Sequence, residues 1–465
     1  LRVEAGFDDV GNIMMLNVRA SHLNLDDLGI MRPLLNEELK DSLLDLQPSG
    51  VIRNLAATVS ELDGNEPQFN ISAELDRVGI AAALSRPGVR DFSGLVRANH
   101  AGGLLEIEST EFEIDMPEYL SQAIEVSHAD GTIIWRTSNN RTTIISDSIT
   151  INNDIINSQS NVQLVLYKNG LSPEIDLAST WSISDIAELK RYIPEKVTKP
   201  ILYQWLQMAL VNGSISRGTT TLNGPLDKFP FDDGEGRLLI EASVRNMTFK
   251  YHKLWPAMEE LDIEVILDNT QLYTTKNQSI SAGIPVVNAQ VNIPDLRDPV
   301  LNIEFFSMGR LESIRNFSIQ SPISNILGGQ LDRVSVEGEA SLGFDLMMPL
   351  KREHIQEYEF QAQVQSNNGM LAVAGFDPPI KDLTGKVIIE RDRIESEGLS
   401  GKFLGQNISI SMRHSKDPQF SMIATALGIA TTNGIVNELG VPMEGLIKGA
   451  AAYQARVLFP NYKVK

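Results

Sequence analysis

The chain has 465 residues, of which 42% are hydrophobic, and it carries a formal net charge of −20 with no cysteine. The acidic balance argues against nucleic acid as a partner, because proteins that bind DNA or RNA need clustered Lys and Arg to displace counterions. The missing cysteines exclude disulfides, thiol catalysis and thiolate metal sites, and they agree with a protein of an oxidising compartment.

The sequence starts at Leu1, and it contains no run of 18 apolar residues. We therefore predict neither a signal segment nor a membrane-spanning helix within it. The chain is expected to be a piece of a larger protein, whose anchor lies outside these residues.

The first part of the sequence combines one helical stretch with several strands. Residues 33–46 repeat leucine at helical spacing, at Leu35, Leu39 and Leu43, and Pro48-Ser49-Gly50 then ends the predicted helix. Beyond it, apolar residues recur at every second position, which is the period of a strand with one apolar and one polar face. The alternating sets are Phe69/Ile71/Ala73/Leu75, Phe112/Ile114/Met116 and Val162/Leu164/Leu166.

Residues 184–211 break this two-residue period. Pro194 and Pro200 divide the stretch into two predicted helices, and Asn212-Gly213 ends the second. Because the helices are amphipathic, we expect their apolar residues to pack onto the apolar face of the sheet. The residues expected to do so are Leu189, Ile193, Leu202, Leu206 and Leu210.

Alternation resumes in the second half and is longest at residues 334–348, which we predict to be a single strand. Its apolar side includes Val336, Leu342, Phe344 and Leu346. Further alternating sets are Leu261/Ile263/Val265/Leu267, Val287/Ala289/Val291/Ile293 and Ile408/Ile410/Met412.

A third helical stretch is predicted near 422–448, where Leu427, Ile435, Leu439 and Leu446 recur at looser helical spacing. No linker rich in Pro, Ser or Gly divides the chain. We therefore predict a mainly β protein in which residues 1–465 form one continuous, long, twisted antiparallel sheet with these three helical insertions. Roughly 25 strands, spaced about 4.8 Å apart, give an apolar face on the order of 120 Å long.

An ordered set of short motifs resembles the AsmA-like family of Gram-negative envelope proteins, which includes TamB. The motifs are Tyr192-Ile193-Pro194, Trp205-Leu206, Gly213-Ser214-Ile215, Gly224-Pro225-Leu226-Asp227-Lys228-Phe229-Pro230-Phe231 and Trp255-Pro256. Leu46-Gln47-Pro48-Ser49-Gly50 and Ser321-Pro322-Ile323-Ser324 are similar to that family as well. The resemblance is strongest over residues 180–270 and suggests a central fragment of such a protein.

The resemblance implies a bridge-like lipid transport protein, in which a taco-shaped β-sheet encloses an apolar groove. Its partners are then phospholipids, and the inner and outer membranes through segments outside this chain. It implies a location in the periplasm, with an anchor in the inner membrane in the full-length protein. We further predict a monomer that needs no cofactor or metal and has no enzymatic activity.

The alternating positions are our candidates for the lining of that groove. We predict the lining residues Phe69, Ile71, Leu75, Phe112, Ile114, Val162, Leu164, Leu166, Leu261, Ile263, Val265, Val287, Val291, Val336, Leu342, Phe344, Leu346, Ile408 and Ile410.

Catalytic and metal-binding motifs are missing from the sequence. The six histidines are scattered, and no nucleophile elbow, Walker loop or dinucleotide-binding glycine motif occurs. The alternative to a lipid conduit is a structural or adhesive all-β envelope protein, whose apolar face packs into a sandwich or solenoid core. An envelope polysaccharide enzyme ranks last, because the sequence offers no paired catalytic carboxylates.

Overall fold

The computed structural model describes residues 2–7, 13–28, 41, 44–60, 68–83, 86–196, 198–231, 233–326, 330–351, 357–391, 393–417, 419–441 and 448–460. These residues form 25 strands of one open antiparallel sheet, which confirms the mainly β fold. The chain divides into two compact units. The first comprises residues 1–207, 213–243 and 267–269, and the second comprises residues 208–212, 244–266 and 270–465.

The first twelve strands supply the first unit, and the last two of them also contribute residues to the second. They are β1 (Arg2–Phe7), β2 (Ile13–Asn24), β3 (Ser49–Ser60), β4 (Gln68–Ile80), β5 (Gly88–Asn99), β6 (Gly102–Asp115), β7 (Ile124–Thr137), β8 (Arg141–Asn152), β9 (Ile156–Tyr167), β10 (Glu174–Ile183), β11 (Leu210–Pro225) and β12 (Arg237–Phe249).

The remaining strands belong mainly to the second unit. They are β13 (Met258–Asp268), β14 (Gln271–Ser281), β15 (Ile284–Val287), β16 (Gln290–Ile293), β17 (Val300–Arg310), β18 (Val334–Glu337), β19 (Glu339–Pro349), β20 (Glu359–Val373), β21 (Phe376–Glu390), β22 (Ile394–Phe403), β23 (Gln406–His414), β24 (Phe420–Thr431) and β25 (Ala450–Pro460). The α-helices of the described residues are α1 (Ile186–Leu189), α2 (Pro200–Ala209), α3 (Leu311–Ile319), α4 (Ile323–Ile326) and α5 (Thr432–Leu439).

In the first unit each strand from β1 to β10 pairs antiparallel with the next strand along the chain. Such a meander needs only local turns, which agrees with the dense turn residues of the sequence. Residues that are directly opposite each other on neighbouring strands share one face of the sheet. The register therefore decides which side chains lie together.

Bulges interrupt this register in successive strands. Asn54, Arg77, Asp91 and Glu111 adopt positive φ angles between 49° and 60°, in strands whose pairing shifts at or beside these residues. Because a bulge contains one extra residue, the residues that share a face change from odd to even numbers, or the reverse, after it. In β4 the apolar positions therefore change from odd numbers, ending at Leu75, to even numbers, beginning at Val78.

Serine hydroxyls satisfy backbone groups that these bulges remove from the sheet ladder. The N–H of Arg77 donates to Ser93 Oγ at 3.1 Å, and the N–H of Ser93 donates to Ser109 Oγ at 3.0 Å. Ser109 is fully buried, so without this partner its hydroxyl would be costly to keep in the fold. Specific hydrogen bonds therefore stabilise these bulges as part of the fold.

The prediction of one strand over residues 334–348 is wrong, because the strand breaks at Gly338. Gly338 has a φ of 113°, and its carbonyl accepts the N–H of Leu311 at 2.9 Å instead of a sheet partner. β18 pairs with β20, whereas β19 pairs with both β17 and β20. The break therefore lets the start of α3 dock against the sheet.

A second break separates β15 from β16, where one alternating strand had been expected. Asn288 adopts a φ of 54°, and the buried side chain of Asn277 hydrogen-bonds both the N–H and the carbonyl of Ala289. The amide of Asn277 thus replaces a strand neighbour at this point. As a result Val287 is 48% exposed, on the opposite side of its strand from the buried Ile284 and Val286.

The helical stretches differ in how well they agree with prediction. Within 184–211 the structure has α1, a short 3₁₀ turn and α2, but Leu210 already begins β11. Leu202 is 47% exposed, so the expectation that it packs onto the sheet is wrong. Of the predicted helix at 33–46, only residues 41 and 44–46 lie within the described residues, and these are helical.

Near 422–448 the predicted helix begins too early. Leu427 lies in β24, and within the described residues of this stretch the helix is α5, which Thr431 caps and Gly440 ends with a φ of 64°. Leu427 pairs with Ser409 and Gln454 on neighbouring strands, and these pairings override the looser helical spacing of the leucines. Leu446 lies outside the described residues.

Trp181 lies across Gly218 of the neighbouring strand, as aromatic side chains often do over strand glycines. A Cβ at Gly218 would be 2.4 Å from the indole ring, so Gly218→Ala is expected to displace Trp181 and destabilise the fold by about 1–3 kcal/mol. Thermal unfolding followed by tryptophan fluorescence measures this loss. Gly343→Ala is the control, because the nearest atom to its Cβ is 4.0 Å away. Equal melting temperatures in the two variants would contradict the packing.

Candidate functional site

A ladder of apolar side chains crosses the first unit on one face of the sheet. Its members are joined pairwise by the register from β4 to β11. They are Ile71, Ala98, Gly103, Trp135, Ile144, Leu164, Ile175 and Gly224. We call the side of the sheet that holds this ladder the first apolar face. Along each strand it comprises every second residue counted from the ladder, and the count shifts by one residue at each bulge.

The first apolar face carries no Asp, Glu, Lys or Arg at any position of the described strands β3–β11. Its polar side chains are serines and threonines, which can hydrogen-bond within the sheet. A chain with 100 charged residues that leaves one face of nine strands uncharged has a surface suited to hydrocarbon.

The opposite face of the same strands is polar and holds ion pairs between neighbouring strands. The pairs include Arg53–Asp76 at 2.6 Å, Arg77–Asp91 at 3.0 Å and Arg90–Glu113 at 2.5 Å. Exposed pairs of this kind add little stability. Their position nevertheless shows which side of the sheet faces water.

Part of the first apolar face is a packed core, and part is open. Ile107, Phe112, Val126 and Ala129 are buried against one another. Elsewhere many of the side chains are half-buried, and Leu166 is 37% exposed, as is Phe69. All eight lining candidates of this unit lie on this face, namely Phe69, Ile71, Leu75, Phe112, Ile114, Val162, Leu164 and Leu166.

The second unit has an apolar face of its own, built on β17 and β19–β21. Phe305, Phe344 and Phe360 form an aromatic ladder in which ring centroids are 5.3 Å and 6.3 Å apart. Leu342 and Phe344 are buried in the same cluster, and Leu346 and Val336 pack against it. We call the side of the strands that holds this cluster the second apolar face.

Four further groups of candidates fall in the second unit. Val291 pairs with Ile303, which packs against the cluster of the second apolar face. Ile408 and Ile410 lie opposite Gly428 and Ala426 of β24. Leu261 is buried in β13, and Ile263 and Val265 are half-buried on the same side of that strand. Val287 does not share the face of Val291, because of the strand break at Asn288.

Helix α3 covers part of the second apolar face, and it was not predicted. Leu311 and Ile314 are buried in the same cluster as Leu342, and Phe317 stacks near Trp255 with ring centroids 5.7 Å apart. The spacing of Leu311, Ile314 and Phe317 was the signal that could have identified this helix.

Two charged groups with shifted pKa values lie on the polar side of the sheet. Hydrogen bonds from Gln361 and Arg393 lower the pKa of Glu390, and a hydrogen bond to Asp382 raises the pKa of Lys402. Both shifts favour the charged forms, as expected for the polar side of the sheet. In the described parts of the chain, no three His, Asp or Glu side chains are grouped so that they could hold a metal ion.

Comparison with known proteins identifies the family to which the sequence motifs point. A family model described as YhdP protein matches residues 4–465. The chain belongs to the YhdP family. The intermembrane phospholipid transporter YhdP of Escherichia coli K12 is 23% identical over 445 residues, which cover 95% of this chain and 35% of that protein. The chain thus spans about a third of the length of this YhdP relative.

No solved structure matches the chain significantly. Among the residues that the structure describes, no helix is both long and apolar enough to cross a membrane.

Proposed function

We propose that this chain is a segment of a bridge-like lipid transfer protein of the YhdP family, which conducts phospholipids between the inner and outer membranes. The observation that carries the proposal is the uncharged first apolar face, which is half-exposed along much of its width. The Escherichia coli relative is named an intermembrane phospholipid transporter, and this supports the same role here.

Acyl chains suit such a face energetically. Each methylene group removed from water contributes about 0.8 kcal/mol, so a lipid with two acyl chains is held strongly against escape into water. Movement along the face exchanges one apolar contact for another of similar strength. The face can therefore retain a lipid and still let it slide.

The alternative, a structural or adhesive protein, requires something to cover the apolar faces. A β-sandwich covers each face with a second sheet. All 25 described strands belong to one sheet, so the described residues provide no second sheet for this purpose. Helix α3 covers part of the second apolar face only.

The proposed role places the protein in the periplasm, because a carrier between the two membranes must cross the space between them. An inner-membrane anchor in the full-length protein, docking at both membranes through segments outside this chain, and a monomeric state remain predictions from the family resemblance. The proposed transport needs no bond-forming chemistry from the protein.

Mass spectrometry of lipids extracted from the purified chain tests the proposal. Purification from bacterial cells without detergent is expected to yield phospholipids at one or more molecules per chain. A preparation from cells that lack the expressed chain, carried through the same steps, gives the background. The proposal would be contradicted if the folded chain carried no phospholipid above this background and took up none after incubation with vesicles.

A further inference from the structure

A band of hydroxyl groups crosses the first apolar face, with one residue on each of four neighbouring strands. It consists of Ser146 on β8, Ser160 on β9, Ser179 on β10 and Thr220 on β11. Ser160 lies directly opposite Ser179, and Ser179 lies directly opposite Thr220. We call these four residues the hydroxyl band.

Apolar positions flank the hydroxyl band on one side, and Trp181 flanks it on the other. Val162, Leu177 and Leu222 form the adjoining row across β9–β11, and Ser146 continues this row on β8 as the partner of Val162. No cation reaches the band from its own face, since this face lacks Lys and Arg throughout the described strands β3–β11. The band is therefore a neutral polar site within an apolar surface.

Two hydroxyls of the band accept a hydrogen bond and keep an unused donor. Ser160 Oγ donates to Ser179 Oγ at 2.8 Å, and Trp181 Nε1 donates to Thr220 Oγ1 at 3.0 Å. Because each hydroxyl can also donate one hydrogen bond, Ser179 and Thr220 each retain a donor. Neither makes another hydrogen bond within the described residues.

Ser146 supplies independent evidence of a missing acceptor. It is 2% exposed, lies opposite Val162 on the same face, and its hydroxyl has no hydrogen-bond partner among the described residues. Buried hydroxyls in folded proteins are nearly always paired, and an exception calls for a partner that the chain does not supply.

We propose that the hydroxyl band hydrogen-bonds the ester carbonyl oxygens of a diacyl glycerolipid, and this inference rests on the proposed lipid transport. Ester carbonyls are neutral acceptors, whereas a phosphate group placed here would lose water without gaining a cation. Ser179 and Thr220 lie on strands about 4.8 Å apart, so one glycerol backbone can engage both. The acyl chains then extend over the apolar positions beside the band.

The proposed contact makes the band a site where a sliding lipid pauses. Hydrocarbon contacts are similar along the face, and at the band hydrogen bonds to the ester groups add to them. A lipid without ester carbonyls should cross the band without pausing.

Paired lipids test the ester contact. The probes are dioctanoyl phosphatidylcholine and its dioctyl ether analogue, which keeps the phosphate and headgroup but lacks both carbonyls. A benzophenone photo-crosslinker at Leu222, beside Thr220, reports local occupancy as lipid concentration rises. Ser179→Ala and Thr220→Val are each expected to weaken binding of the ester lipid about 5-fold and to leave the ether lipid unchanged.

Thr180→Val is the matched control, because Thr180 follows Ser179 in β10 and is exposed on the opposite, polar side of the sheet. It should bind both lipids as the unmodified chain does. Ser146→Ala is expected to keep or raise the melting temperature while weakening the ester lipid. This combination separates a ligand contact from a structural role.

The outcomes distinguish this inference from the proposed function. Equal losses for ester and ether lipids would assign the hydroxyls to the phosphate, and unchanged affinities in every variant would remove the ester contact. Either result overturns the inference but leaves lipid binding in place. Failure of the unmodified chain to crosslink either lipid would instead overturn the proposed function.

Discussion

Phe344→Ala is expected to lower the free energy of unfolding of the second unit by about 3–5 kcal/mol. Phe344 is 9% exposed and contacts the rings of Phe305 and Phe360 on both neighbouring strands. Removing the ring leaves a cavity in the middle of the aromatic ladder. Urea unfolding followed by circular dichroism measures the loss.

Phe306→Ala is the control for this change. Phe306 lies one residue after Phe305 in β17 and is 63% exposed, because alternation places it on the other side of the sheet. Its removal should change the free energy of unfolding by no more than about 0.5 kcal/mol. Similar losses in the two variants would mean that the second apolar face is wrongly assigned.

The sequence was most informative for strand segments without a bulge, where apolar residues recur at every second position. In β9 the apolar residues Val162, Leu164 and Leu166 alternate along the strand and lie on the first apolar face, although Val165 is buried on the opposite side. The mainly β fold followed from many such stretches. The half-buried state of these residues could not follow, since it depends on what else covers the face.

Bulges limited the prediction of register. Arg77 and Glu111 have positive φ angles, yet neither is a glycine or asparagine that would mark the position in the sequence. A search for strict two-residue alternation therefore ends at such residues, or it assigns the residues after them to the wrong face of the sheet. Val287 shows the second error, because the break at Asn288 changes which side of the strand is apolar.

Interactions between distant residues limited the prediction of helices and polar sites. The start of α3 is fixed by Gly338, 27 positions after Leu311, whose N–H it accepts. The hydroxyl band likewise forms from residues on four strands, each of which contributes one of its several serines and threonines. The contact between Leu311 and Gly338 and the grouping of the hydroxyls have no local signal, although the spacing of Leu311, Ile314 and Phe317 indicates the helix itself.

Leu164→Asp is expected to remove lipid from its part of the first apolar face. Leu164 lies between Ile144 and Ile175 on the neighbouring strands. A carboxylate held against acyl chains costs several kcal/mol or draws water onto the face, and either result breaks the apolar contact. We expect crosslinking of a phospholipid to a benzophenone at Leu177 to fall at least about tenfold.

Gln163→Asp is the matched control, because Gln163 is the preceding residue of β9 and is exposed on the polar side. It adds the same charge to the same strand and should leave crosslinking at Leu177 unchanged. A second crosslinker at Leu75, on β4, should retain lipid in both variants, since five strand spacings of about 4.8 Å separate it from β9.

The pattern across these positions separates a lipid path from a purely structural face. Because Leu164 is half-buried, its replacement should cost only about 1–3 kcal/mol of stability, so the variant remains folded for the measurement. A structural face would lose stability without a selective loss of lipid at Leu177. Equal crosslinking in Leu164→Asp and Gln163→Asp, with both chains folded, would show that lipid does not lie along this face. A loss confined to Leu177 in the first variant is the result that a path along the first apolar face requires.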